Sequence, residues 1–144
     1  MLTHKVPVKL GGLIKALLVV LTVCAMSCNS PSNEDVERQI ASSSLLRKVD
    51  SLCSSLPAVP TLHLKYKRLS GNSGISSVTF FYSKSIPFDD VMQIYSKWLE
   101  TNGWEKNTDL LSTSYGNYRK GNEQISIELM DADTLAIDCM TENP

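Results

Sequence analysis

From residue 34 onward the chain switches between a helical and a strand-like hydrophobic period, and each switch marks an element. Leu45, Val49, Leu52 and Leu56 recur at helical spacing and predict an amphipathic helix over about residues 34–54. Ser32 and Asp35 have the spacing of a capping box, and Glu34 suits the positive end of a helix. The first half of this helix is weaker. Val36 and Ile40 fall on a different face, and Ser42-Ser43-Ser44 is poor helix material, so the first turns are expected to be exposed or frayed. Pro57 and Pro60 end the segment. The period then shortens. Leu62, Leu64 and Tyr66 alternate with His63, Lys65 and Lys67, and Val78, Phe80 and Tyr82 alternate with Ser77, Thr79 and Phe81. Ser70-Gly71-Asn72-Ser73-Gly74 lies between the two runs, which together read as a hairpin.

After Pro87 the helical period returns. Phe88, Val91, Ile94, Tyr95, Trp98 and Leu99 form one apolar stripe, and Gly103 supplies a left-handed stop. Trp104 opens a further strand, and residues 107–117 are polar and irregular. Tyr118–Lys120, Gln124–Met130 and Thr134–Met140 then read as a meander, with Ile125, Ile127 and Leu129 facing the same way as Leu135, Ile137 and Cys139. The order is α-β-β-α-β-β-β. One-sided alternation predicts an α+β fold, an antiparallel sheet of about five strands with one or two helices on one face.

The residues before this domain have a different character. Lys5, Lys9 and Lys15 precede an apolar run from Ala16 to Met26, and small Ala25 and Ser27 precede Cys28. A basic start, a short apolar run and small residues at its exit form the signal-peptide pattern. The run is well short of the about 20 apolar residues that span a bilayer. The expected division is a signal peptide over 1–27, a tether over 28–33, and one domain over 34–144.

Charge and cysteine count refine this picture. All 15 acidic residues but only 11 of the 14 basic ones lie beyond the leader, so the exported part is net acidic. That argues against binding a nucleic-acid backbone. Cys53 and Cys139 remain after export to a compartment that can oxidise them. They are expected either to form a structural disulfide or to pack as two buried thiols.

Ala25-Met26-Ser27-Cys28 resembles the lipobox of bacterial lipoproteins. The resemblance implies a diacylglycerol on the Cys28 thiol, cleavage before that residue and acylation of the new amino terminus. Cys24 is the competing cysteine, but bulky Val23 stands where a small residue is expected. Asn29 after the cysteine implies outer-membrane delivery if the cell is diderm. Tyr82-Ser83-Lys84-Ser85, Val91, Tyr95, Trp98-Leu99 and Gly103-Trp104 likewise resemble small exported lipoproteins of unknown function with a helix-on-sheet domain. They also resemble, more loosely, the repeated helix-on-sheet domains of accessory lipoproteins in outer-membrane protein assembly. This likeness extends over about residues 62–140 and implies architecture, with no catalytic residue to carry over.

Candidate chemistry is sparse. His63 is the only histidine beyond the leader, on the polar side of a strand with no local partner for general-base work. Asp131, Asp133 and Asp138 lack the remaining ligands and glycine of a calcium loop, and the first two suit a turn. Asp89 and Asp90 suit a helix start. Gly71-Asn72-Ser73-Gly74 is not followed by the Gly-Lys-Ser/Thr of a phosphate loop, and no Gly-x-Ser-x-Gly elbow occurs. The one basic patch is Lys65, Lys67 and Arg68, with Lys65 and Lys67 expected on one strand face opposite the apolar one. Phe81 nearby marks a partner surface or packs beneath a loop.

The expectation is an exported protein, lipid-anchored through Cys28 to a membrane. It would act without catalysis as an interaction or accessory module for an envelope protein partner, with no cofactor, no metal and no nucleic acid. The alternative is an inhibitor or immunity-type lipoprotein that blocks a hydrolase. A hydrolytic enzyme is the third reading.

Overall fold

A computed structural model describes residues 31–107 and 115–142. The leader, Cys28 and most of the irregular segment before Tyr115 lie outside the described residues. The folded unit is Asn33–Pro144. Its elements are α1 (Asn33–Ser42), α2 (Ser44–Ser54), β1 (Leu62–Asn72), β2 (Ile75–Lys84), α3 (Phe88–Thr101), β3 (Glu105–Lys106), β4 (Tyr115–Lys120), β5 (Glu123–Leu129) and β6 (Thr134–Glu142). The six strands form one antiparallel sheet in the order β1-β2-β6-β5-β4-β3. The α+β class and the one-sided packing agree with the hydrophobic pattern. The sixth strand is the two-residue β3 at one edge, which follows Trp104 where a further strand is expected.

The single helix expected over 34–54 is two helices. Ser43 leaves the helical region (φ −114, ψ 123), and its side chain accepts a hydrogen bond from the Leu46 amide at 3.2 Å. The serine run is therefore an internal start signal for α2, because a serine at this position satisfies an amide the helix leaves free. The break also overturns the expectation of exposed first turns. It lets the Val36 and Ile40 face of α1 turn inward, and both residues are buried.

All three helices contribute to one apolar cluster with one face of the sheet. Val36, Ile40, Val49, Phe88, Val91 and Leu99 meet Val78, Ile125, Ile127, Leu135 and Ile137 there. Along α3 the buried stripe is narrower than the pattern predicts. Phe88, Val91, Tyr95 and Leu99 are buried, Trp98 is half-buried, and Ile94 stays 42% exposed. Gly103 closes α3 with a positive φ of 78°. The Gly103 amide bonds the Glu100 carbonyl at 3.1 Å, and the Trp104 amide bonds that of Leu99 at 3.0 Å. This is the Schellman arrangement, and it buries Trp104 beside the helix it ends. At Gly116 a Cβ would meet the flexible end of Met92 from α3, which would have to shift.

Cys53 of α2 and Cys139 of β6 are joined by a disulfide, with their Cα atoms 5.7 Å apart. Both half-cystines are buried in the apolar cluster. The bond ties the N-terminal helical segment to the centre of the sheet across a separation of 86 residues.

Candidate binding surfaces on the two sheet faces

The basic patch is divided by a bulge. The register between β1 and β2 shifts between Leu64, which pairs with Tyr82, and Tyr66, which pairs with Phe81. A bulge adds one residue to one strand, so it reverses the side to which later residues point. Lys65 is the extra residue. The shared face expected for Lys65 and Lys67 is consequently not formed. Lys67 turns to the helix side. Its Nζ lies 4.6 Å from the Phe80 ring centre and donates to Asp50 at 2.8 Å and Glu37 at 2.9 Å. Burial works against the Lys67 charge, but the hydrogen bonds to Asp50 and Glu37 outweigh it and raise the pKa.

On the other face, Tyr66, Arg68 and Phe81 come together. The Tyr66 and Phe81 rings stack at 4.5 Å and 16°, and the Arg68 guanidinium lies 5.2 Å from the Phe81 ring centre. Phe81 itself is 4% exposed, while Tyr66 above it is 44% exposed. Lys65 reaches the hydroxyl of Thr134 on β6, 3.1 Å away. Of the four residues expected at a partner surface, Arg68 and Phe81 are therefore in contact, Lys65 lies at the bulged edge, and Lys67 is on the opposite side.

Beside this ledge is a shallow hollow of about 220 Å³, lined by Arg68, Phe81, Glu128, Met130, Ala136 and Asp138 among others. Its floor is polar but internally paired. The Ser77 and Thr79 hydroxyls both donate to one Asp138 carboxylate oxygen at 2.7 Å, and Ser70 and Ser77 are 3.0 Å apart. Tyr115 donates to Ser126 at 3.1 Å on the neighbouring strands. The site thus offers an aromatic ledge with a cation on one rim and exposed Glu128 on another. It can hold a ligand by stacking and charge contact.

A second opening of about 240 Å³ lies on the helix side, between the end of α2 with its following loop and α3. Leu56, Val59, Phe80 and Ile137 supply apolar wall, and Tyr82 and Tyr95 supply phenols. Burial pushes the pKa of both phenols up. Lys67 opposes the shift at Tyr82, and the neighbouring Tyr82 adds to it at Tyr95. In the sequence both tyrosines sit on apolar stripes and read simply as core. The signal available was their polar tip, since a buried tyrosine ordinarily finds a hydrogen-bond partner.

The remaining candidates stand apart from these openings. His63 is exposed on β1. Asp131 accepts from the Asp133 amide at 2.9 Å within the β5–β6 turn, and that bond leads the lowering of its pKa. Asp89 and Asp90 are exposed in the first turn of α3. Among the described residues, no group of three or more His, Cys, Asp or Glu is placed to hold a metal, and no helix is long and apolar enough to cross a membrane.

No protein-family model matches the chain, and neither a curated protein nor a solved structure is similar to it. The functional reading therefore rests on residues and geometry.

Proposed function

We propose that the chain is an exported, lipid-anchored module that binds an envelope protein partner through the sheet face carrying Tyr66, Arg68 and Phe81, without catalysing a reaction. The observation that carries this is the ledge itself. A half-exposed tyrosine stacked on a buried phenylalanine, with an arginine over the same ring, is a rigid contact surface of the residue types enriched at interfaces. The hollow beside it can receive a side chain of the partner. The leader and the Cys28 motif supply the address, placing the module at a membrane through acyl chains.

Crosslinking in intact envelopes, followed by capture and mass spectrometry, tests the reading. Wild type is expected to trap one resident envelope protein in defined stoichiometry. A paired Tyr66→Ala and Arg68→Glu variant is expected to lose it while keeping its melting temperature. Unchanged capture by that variant would move the interface elsewhere. Capture of a hydrolase from outside the cell would instead favour the inhibitor reading. The address is tested separately, since Cys28→Ala should abolish acyl labelling and release the protein from membranes.

A further inference from the structure

The cleft between α2 and α3 holds hydrogen-bonding groups that packing does not require. Tyr95 is 3% exposed and stands on the same α3 stripe as Phe88, Val91 and Leu99. It lines the cleft, and among the described residues its hydroxyl has no hydrogen-bond partner. Half-buried Tyr82 lines the same cleft from β2, and its hydroxyl likewise has no hydrogen-bond partner among the described residues. Neither hydroxyl is sealed from solvent, so both remain open to a ligand that enters the cleft. Nearby in the chain, the Thr61 hydroxyl is fully buried without a partner among the described residues.

We propose that this cleft binds a small neutral amphiphile, a short hydrocarbon or single-ring body with one carbonyl or hydroxyl oxygen, whose oxygen is held by Tyr82 and Tyr95. Leu56, Val59, Phe80 and Ile137 match the apolar body. An enclosed apolar cavity of about 150 Å³ holds benzene; this cleft of about 240 Å³ opens to solvent and has volume enough for a ring or a short chain. Both phenols remain protonated at neutral pH and so present hydroxyl donors to an acceptor oxygen. The charges nearest to Tyr82 disfavour an anionic head. Lys67 is already engaged by two carboxylates, Asp50 and Glu37, so that group carries an excess negative charge. The site is on the helix side of the sheet and does not depend on the outer-face reading.

The test uses the full chain in phosphatidylcholine nanodiscs, photolabelled with an aliphatic diazirine alcohol and mapped by mass spectrometry. Saturable labelling is expected at residues 54–62 or at Tyr95, displaced at least about tenfold better by 1-octanol than by octanoate. Tyr95→Phe should keep the unliganded melting temperature or raise it, and should weaken 1-octanol about tenfold, the loss of one hydrogen bond. Tyr82→Phe repeats the test from the opposite wall. Ala58→Trp, a substitution at an exposed position lining the cleft, should block labelling. Unsaturable labelling, equal competition by octanoate, or unchanged affinity in both phenylalanine variants would overturn the proposal.

Discussion

The two faces of the sheet are built from the same strands but held together differently. On the helix face, Val78, Ile125, Ile127, Leu135, Ile137 and Cys139 are packed against side chains of three helices. On the outer face, Ser77, Thr79, Asn117 and Ser126 are also buried, yet they are polar, and Asp138 ties two of them together. One face derives its stability from removing apolar surface from water. The other derives its order from satisfied hydrogen bonds, which contribute less net stability but fix geometry. A face of the second kind keeps a defined shape while remaining wettable, which suits a surface that meets a partner.

Breaking the disulfide should give the largest effect and should fall on the helix face. Replacing Cys53 and Cys139 together by Ala frees a loop spanning 86 residues of sequence, for which the chain-entropy estimate is about 4.5 kcal/mol. Denaturant unfolding with and without reductant checks this, and a difference below about 1 kcal/mol would mean the bond constrains little. Next come cavities in the apolar layer. Leu99→Ala should cost about 3–5 kcal/mol, since Leu99 is fully buried, and should exceed Trp98→Ala because Trp98 is only half-buried. The reverse ranking would place the α3 core on the other side of the helix.

Outer-face changes should be smaller. Asp138→Ala leaves the Ser77 and Thr79 hydroxyls without their acceptor and should cost about 1–3 kcal/mol. Adding Ser77→Ala and Thr79→Val should recover part of that loss, as a double-mutant cycle would show. Smallest of all is the partly exposed Lys48–Glu123 pair, 3.0 Å apart, whose removal should change stability by less than about 1 kcal/mol. The helix side also has a pH signature. The Lys67 pKa is raised above its ordinary value of 10.5. Its contribution is fully present below that value and is lost as pH rises through the raised one. Melting temperature should therefore fall more steeply at alkaline pH in wild type than in Lys67→Met.

Much of this contrast was legible along the chain, because period alone separates the two faces of β5 and β6. Ile125 and Ile127 point one way and Ser126 and Glu128 the other. The α3 stripe and its glycine stop were legible for the same reason. The bulge at Lys65 was not. A register shift depends on how β1 meets β2, and nothing in Leu64-Lys65-Tyr66 distinguishes a bulged run from a straight one. That one shift moved Lys67 off the expected surface and set Tyr66 over Phe81. The helix break was half legible. Ser42-Ser43-Ser44 marked weak helix, but propensity does not say whether a weak point frays or restarts the helix at a new angle. Cys53 and Cys139 were visible as a pair, while their bonding depended on the fold that brings α2 over β6.

The position of β6 also orders events in time. β6 lies between β2 and β5, so it joins the β1–β2 hairpin to the β3-β4-β5 half of the sheet. Until residues 134–142 have been synthesised, the two halves share no strand pairing and Cys53 has no bonding partner in the sheet. Non-local pairing of this kind makes folding slow relative to chains with local contacts. The nascent polypeptide therefore cannot complete this sheet, or close the disulfide within it, until β6 has been made.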